Sequence, residues 1–494
     1  MKKIFYIVLM LVTITSCSDR FLDETPKGSW HHGNYEDDGS SDKLLILSKL
    51  FEGYDSYRAF DFVFPVISMQ SISTGDGVAP NGSDGGTDYV QCWNLSFTTE
   101  NSQVKAYYTA LYTIITKANT ALQMIEETKA KSEDNYDEFI AEAYFLRGSA
   151  YFRLCQAFGS VPYVDKLLNK DDKIADQKPV SEIWHKCKED LEWASTILPS
   201  RIERVSTGNQ GRATANACLA IIAKIQMYEK DWGGCASTCQ RIILSGDNDL
   251  STPYADMFLE KNEYGPESVW EINAEYDPLN KITPAPDCQW LQAQGYRGFP
   301  NLGWGHNGPS EKLRNAYEKD DPRYDATVIE PGEELDGEIS SPAEGMHNYF
   351  NRKCYLPLNE RKKNNRDDWC YGYWTNIRVI RYADIVLMAA EACCEGGDID
   401  GALNALEMIR KRARNGKNVL PEIKERDKDK LRKLIHHERR IELALEHERY
   451  FDLVRWGEAS EEIPNFVAGK HELFPIPQSE IDQSGGKLQQ NPGY

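Results

Sequence analysis

Beyond its first residues the chain has no apolar run approaching the roughly 20 residues that span a bilayer. Positive charge is also in short supply: 57 Lys and Arg stand against 77 Asp and Glu, a formal net charge of −20. Nucleic acids demand basic patches that neutralise phosphates, so this balance argues against them and disfavours polyanionic ligands. The nine histidines include no zinc pair. His437-Glu438 and His447-Glu448 each begin an H-E-x-x-H pattern, yet Ile441 and Phe451 occupy the place of the second histidine. Neither a GxxxxGK(S/T) phosphate loop nor a GxSxG nucleophile motif occurs. Residues 303–308 satisfy GxGxxG, but Phe299-Pro300 and Pro309 flank them in place of a βαβ unit. CxxC spacing is missing as well, since Cys235 and Cys239 stand four apart and Cys393 and Cys394 are adjacent.

Some chemistry is absent only in part. The run from Asn81 to Asp88 carries oxygens that suit a hard cation but lacks the full calcium-loop pattern and its terminal glutamate, so it reads as a solvated turn. No metal and no cofactor are expected. Paired glycosidase carboxylates are defined by separation in space and cannot be recognised among 77 acids. Without a nucleophile, metal or phosphate motif, the chain reads as a binding protein and not an enzyme.

What is present begins at the start. Lys2 and Lys3 are followed by an apolar run from Ile4 to Leu11 and by Thr13-Ile14-Thr15-Ser16-Cys17, a small-residue cleavage site ending in cysteine. This is the pattern of a lipoprotein signal peptide over residues 1–16, too short for a transmembrane anchor. The mature chain would begin at Cys17. Acyl chains bury methylenes at about 0.8 kcal/mol each, so lipid on Cys17 would hold a folded domain on a membrane. Losing Lys2 and Lys3 takes the formal charge from −20 to −22. Of the twelve cysteines, eleven remain beside Cys17, an odd number that leaves at least one thiol free or paired between chains. In a chain of 494 residues they are no disulfide framework, and most read as buried small apolar residues.

Helical periodicity dominates the rest and comes in blocks. Ile140, Ala143, Tyr144, Tyr151, Leu154, Cys155 and Phe158 follow the i, i+3, i+4 rule, while Phe145 and Phe152 lie on another face, so this helix packs on two sides. Ala213 to Tyr228 forms an alanine-rich second helix, followed by Asp231-Trp232-Gly233-Gly234 and a helical run from Cys235. Tyr382 to Cys394 is helical, Gly396-Gly397 stops it, and Asp398 caps a partner carrying Ile399, Ala402, Leu403, Leu406 and Ile409 in one stripe. Small residues such as Gly148 recur at the crossing points, as in tetratricopeptide hairpins. Four pairs result, near residues 104–157, 181–228, 231–245 with its partner unassigned, and 380–413. A helix after Asp429 carries Leu431, Leu434, Ile435, Ile441 and Leu445 beside Glu438, Arg439, Arg440, Glu442, Glu446 and Arg449. Such mixed charge reads as solvated or self-paired.

Between the blocks lie segments rich in glycine, proline and aromatics, over residues 69–102, 262–309 and 330–374. Segments this long without regular structure carry function more often than not. Sugars lay C–H faces on indole and phenol rings while Asp, Asn and backbone groups take their hydroxyls, and rings give contact area at low entropy cost. Trp184, Trp193, Trp232, Trp270 and Trp456, on or beside regular elements, read as core. Trp290, Tyr296, Trp369 and Tyr371, among polar residues, Gly and Pro, divide evenly between core and contact surface.

Eight segments occur in a telling order: CSDRFLDETPKG, AEAYFLRGSAYFRLCQAFGSVPYV, GRATANACLAIIAKIQMYEKDW, ESVWEI, PSEKLRNAYEKDDPR, IRYADIVLMAAEA, ERRIELALEHERYFDLVRWG and HELFPIPQSEIDQSGGKLQQNPGY. Behind a lipoprotein signal, this series resembles the SusD/RagB family of outer-membrane nutrient-binding lipoproteins over nearly its whole length. The resemblance implies a mostly α, SusD-like fold over residues 17–494, with about four tetratricopeptide-like hairpins (near 104–245 and 380–456), long irregular loops and a few short strands. It implies capture of an oligosaccharide at the cell surface and delivery, without bond cleavage, to a SusC-like TonB-dependent β-barrel transporter that the lipoprotein covers as a lid. Lipid on Cys17 would hold it to the outer membrane, facing the exterior.

By the same resemblance, ligand residues fall in Asp76 to Tyr89 and Asp287 to Trp304. Tyr89, Trp290 and Tyr296 are the expected stacking groups and Asp76 the hydroxyl acceptor, with Trp304, Trp369 and Tyr371 behind them. Trp93 stands where the family places a packing tryptophan, and Trp304 is also near a recurrent structural position. Three other functions compete: a peptide-binding lid of the same kind of transporter, a surface glycosidase using loop carboxylates, and a purely structural partner of the barrel.

Overall fold

The computed structural model describes residues 41–81, 84–129, 135–168, 175–274, 288–363 and 373–494. The signal peptide, Cys17, Trp369 and Tyr371 lie outside the described residues. Helices dominate. The first half contains α1 (Ser41–Asp55), α2 (Phe60–Val66), α3 (Gly86–Trp93), α4 (Ser102–Lys129), α5 (Asp137–Phe158), α6 (Val180–Ile197), α7 (Arg201–Ser206), α8 (Ala215–Tyr228) and α9 (Trp232–Ser245). The second contains α10 (Gln289–Gln294), α11 (Tyr382–Gly396), α12 (Ile399–Arg414), α13 (Lys428–Glu442) and α14 (Arg449–Trp456). Short strands punctuate them: β1 (Gly77–Val78), β2 (Ser268–Ile272), β3 (Gly298–Phe299), β4 (Gly308–Pro309), β5 (Ser341–Pro342) and β6 (Ile377–Arg381).

The long helices stack in series, α4 on α5, α5 on α6, α6 on α8, α8 on α9, α9 on α11, and α11 on both α12 and α13. This is the mostly helical hairpin architecture expected. The helix whose partner the sequence left open, α9, lies between α8 and α11 and so joins the two halves of the stack. Helix α5 buries Ala143, Phe145, Tyr151, Phe152 and Phe158 together, which two-sided packing requires. At its centre Gly148 lets α6 approach: a Cβ there would stand 3.1–3.2 Å from three Leu191 side-chain atoms. Side-chain caps start several helices, Asp398 as the sequence reading has it and Asp231 and Thr214 in addition. Asp398 accepts the Gly401 N–H at 2.9 Å, Asp231 accepts that of Gly234 at 3.0 Å, and Thr214 caps α8 through Ala217. The ten cysteines among the described residues are buried except for the half-buried Cys393, in keeping with their reading as small apolar residues.

Two antiparallel pairs position the irregular segments. In β2/β6, Ile272 faces Ile377 and Trp270 faces Ile380, and the Trp270 ring meets Tyr57 and Phe145 edge-on at 5.0 and 4.8 Å. In β1/β4, Gly77 faces Pro309, which ties segment 69–102 to segment 262–309. Asn307 locks the joint, accepting from Ser71 Oγ at 2.7 Å and donating to Gln294 Oε1 at 2.7 Å.

Three expectations are corrected here. Segment 69–102 is less irregular than its glycines suggest: helical turns run from Ile67 to Thr74, and left-handed Gly85 (φ 88°) leads into α3. Trp193 is not core; it stays 38% exposed and meets Tyr144 edge-on, because this face of α6 borders solvent. The charged helix after Asp429 starts one residue earlier, at Lys428, capped by Asp427; Lys428, Asp429, Lys430 and Lys433 are exposed, whereas Glu438, Arg439 and Glu442 are self-paired in the interior. Glu438 and Glu442 are buried with Arg323, Arg381, Arg410 and Arg412 around them, and buried Arg439 bonds Asp384 at 2.7 Å and Asp452 at 3.0 Å.

Candidate functional site

The joined segments build a face from α2, the turn before α3, and residues 295–309. Helix α2 sets Phe60 and Phe64 one turn apart, with rings stacked at 4.7 Å. Phe60 is 41% exposed at the first position of the helix. Trp304, half-buried, meets Phe60 at 6.5 Å and Phe64 at 6.1 Å, both edge-on. Its backbone N–H donates to Gln292 O at 2.8 Å, and Gly303 permits that approach, since a Cβ there would fall 2.4 Å from the same oxygen. Arg297 reaches across, pairing with Asp84 from the opposite segment and donating to Trp304 O at 3.4 Å. Phe299 on β3 is 50% exposed. The arrangement offers partly open rings beside a half-exposed ion pair. That suits a ligand with C–H faces and hydroxyls.

Among the expected residues that are described, Trp304 alone contributes an accessible ring to this face. Tyr89 is a correction: it lies on α3, fully buried, with Phe64 stacked on it at 4.3 Å and its hydroxyl hydrogen-bonded to His306 Nδ1 at 3.0 Å. Burial lowers the His306 pKa to about 3, so the pair is a neutral core contact. Tyr296 is a second correction, buried with its ring 4.1 Å from Phe350. Asp76 is a third. Its carboxylate accepts from Arg440 at 2.5 and 3.0 Å, with Arg449 3.7 Å away, and is buried. The fork engages both carboxylate oxygens inside the protein, so Asp76 serves as a structural acceptor. Trp290 is half-buried on α10, edge-on to His447 at 4.5 Å, and it lines two cavities of about 30 and 40 Å³, space for water and not for a sugar.

Phe60, Asp84, Arg297 and Phe299 were not singled out in the sequence. A signal for Phe60 existed: Phe60, Phe62 and Phe64 within seven residues cannot all face one core on a helix, because Phe60 and Phe64 share a face that Phe62 does not. Among the described residues no group of three His, Cys, Asp or Glu side chains is placed to hold a metal ion.

Comparison with known proteins agrees with this picture. A family model described as SusD family matches residues 266–472, and one described as starch-binding associating with outer membrane matches residues 70–227. SusD-like protein P2 from Formosa agariphila is 26% identical over 529 aligned residues, covering 100% of this chain and 99% of that protein. A SusD-like protein from Bacteroides ovatus is 24% identical over 500 residues, covering 92% and 82%. A solved laminarin binding SusD-like protein superposes with a TM-score of 0.75 at 24% identity, over 92% of this chain and 99% of that one. Surface glycan-binding protein A from Bacteroides thetaiotaomicron, in complex with laminarihexaose, gives 0.73 at 23% identity over 91% and 99%. At these identities the solved structures establish the fold.

Proposed function

The chain belongs to the SusD family, and on that premise we propose that it binds an oligosaccharide at the cell surface and passes it, uncleaved, to a SusC-like TonB-dependent transporter of the outer membrane. The observation that carries this reading is the open pair Phe60 and Trp304 beside Asp84–Arg297, on a face where two distant segments are pinned together. Relatives named for binding laminarin or a glycan support the substrate class. The lipoprotein signal supports a lipid anchor on Cys17, and among the described residues no helix is long and apolar enough to cross a membrane.

The geometry suits reversible capture. With only a few open rings to meet a sugar face, binding is weak enough for a transporter to reverse. Asp84 accepts from hydroxyls and Arg297 donates to them, and because each already neutralises the other, a neutral ligand enters without leaving a charge unpaired.

Calorimetry of the full chain against laminarihexaose, cellohexaose and xylohexaose tests the reading. Saturable binding to at least one, reduced tenfold or more in Phe60→Ala/Trp304→Ala, is the expected result. Binding to uncharged peptides alone would transfer the site to the peptide-lid reading. Release of shorter sugars during incubation would overturn capture without cleavage.

A further inference from the structure

Helices α6, α8, α9, α11, α13 and α14, with the end of α5, enclose a cleft of about 690 Å³. That is within the roughly 300–1,000 Å³ of small-ligand sites. It shares no lining residue with the face around Phe60 and Trp304. Most of its charged groups are paired, Glu391 with Arg455 at 2.7 Å and Glu395 with Arg432 at 3.0 Å. Lys230 and Glu472 are different: both line the cleft, and among the described residues neither has an ion-pair partner. Lys230 stands exposed in the turn from α8 to α9, whereas Glu472 enters half-buried from the segment after α14. The Gly469 N–H holds one Glu472 oxygen at 3.0 Å and leaves the other unengaged.

The uncharged polar groups of the cleft divide in the same way. Trp232, two residues from Lys230, is half-buried with no ring partner and no acceptor for its indole N–H among the described residues, and that nitrogen, unlike the sealed one of Trp184, is open. Acceptors come from α5 and α13. Gln156, 8% exposed, donates its Nε2 to Tyr228 Oη at 2.6 Å and keeps Oε1 unengaged. Leu473 packs against Gly159 at the end of α5, which brings Glu472 to the same end of the cleft as Gln156. His436, 6% exposed and stacked on Trp456 at 3.6 Å, donates from Nδ1 to the Glu458 carboxylate at 2.9 Å, so Nε2 of the neutral ring is left as an acceptor. A neutral ligand would bury Lys230 and Glu472 without partners, and a ligand of one charge would satisfy one of them and repel the other. A zwitterion matches both. A single amino acid would leave much of the space unfilled, whereas a short peptide adds N–H groups for Gln156 and His436 and an apolar side chain for the Trp232 ring. Helical walls offer no sheet edge, so its termini and side chains hold it, not strand pairing.

We propose that this cleft binds a short peptide as its zwitterion, with the terminal ammonium on Glu472 and Gln156, the terminal carboxylate on Lys230 and the Trp232 indole N–H, and an apolar side chain against the Trp232 ring. The site stands apart from the glycan face and does not depend on it. Calorimetry of the full chain with Leu-Leu, Leu-Gly-Leu and Leu-Gly-Gly-Leu tests it, each peptide with free termini, N-acetylated or C-amidated, in the wild type and in Phe60→Ala/Trp304→Ala. The expected result is saturable binding of at least one free peptide in both backgrounds, weakened about fivefold by Trp232→Ala. Acetylation should weaken binding about fivefold in the wild type and not in Glu472→Gln, and amidation about fivefold in the wild type and not in Lys230→Gln. Both positions are at least half-exposed, so these two variants should unfold at the wild-type temperature. The proposal is overturned if no free peptide binds, if capped peptides bind as tightly as free ones, or if capping weakens the matching variant as much as the wild type. Peptide binding that disappears in Phe60→Ala/Trp304→Ala belongs to the loop face and overturns this site as well. Hexaose binding bears on the glycan reading alone, so the two can fail independently.

Discussion

Asp76, Tyr89 and Tyr296 have the chemistry of sugar ligands and the positions of structural residues. Their polar ends are engaged inside the protein or held in its core, and nothing in the local sequence separates that use from a binding one. The difference has measurable consequences. Asp76→Asn weakens the Arg440 fork and leaves a part-buried guanidinium poorly compensated, so it should lower stability by about 3 kcal/mol in denaturant unfolding. Tyr89→Ala opens a cavity beneath Phe64 and should lower it by about 3–5 kcal/mol. Phe60→Ala, at an exposed position, should change stability by less than about 0.5 kcal/mol while reducing glycan affinity. If Phe60→Ala unfolded the protein and Tyr89→Ala left it intact, the assignment of surface and core would be reversed. Trp304 was legible as a candidate through the family resemblance, which places ligand residues in the segment from Asp287 to Trp304. Phe60 carried a signal in the spacing of Phe60, Phe62 and Phe64, but its place beside Trp304 is set by tertiary structure alone.

Helices were the readable level. Apolar stripes and small-residue runs located α5, α8 and α11, and a stripe behind the Asp398 cap located α12, since periodicity and cap chemistry act within one turn. What they could not supply was neighbours. Helix α9 sits between α8 and α11, and no property of residues 232–245 names a helix beginning at Tyr382. Helix α3 was hidden for a different reason: Gly85 and Gly86 read as loop, yet both serve the left-handed turn that launches it. The contact of α5 with α6 gives a prediction at this level. Gly148→Val drives a branched side chain into Leu191 and should destabilise by about 2 kcal/mol or more. Adding Leu191→Ala should recover part of that loss, a coupling that a double-mutant cycle in denaturant measures.

Across the whole molecule, buried ions join segments far apart in sequence. Glu442 contacts Arg323, Arg381 and Arg412, and although burial opposes its charge, these guanidiniums bring its pKa down to about 2. A carboxylate depressed from an unfolded value of about 4.3 stabilises the fold above that pH, and the contribution disappears as pH falls toward 2. Unfolding temperature should therefore drop steeply on the acid side. Glu442→Gln should flatten that drop and lower stability at pH 7, by less than the about 3–5 kcal/mol of a pair broken outright, because Arg323 keeps Asp321 and Glu438, Arg381 keeps Glu267 and Glu446, and Arg412 keeps Glu267. Glu263 has the opposite sign: burial outweighs Arg378 at 3.6 Å and raises its pKa to about 8. Its contribution is complete below about pH 4.3 and is lost as pH rises through 8, so Glu263→Gln should be the more stable protein at pH 9. By itself the sequence determined the helical class, the Asp398 cap, the small residues at helix crossings and the long segments between the hairpins. Only tertiary structure decided which rings face solvent and which charges lie buried. Periodicity is a property of neighbours in the chain, whereas exposure is set by every element that packs around a residue, and here those elements come from opposite ends of the sequence.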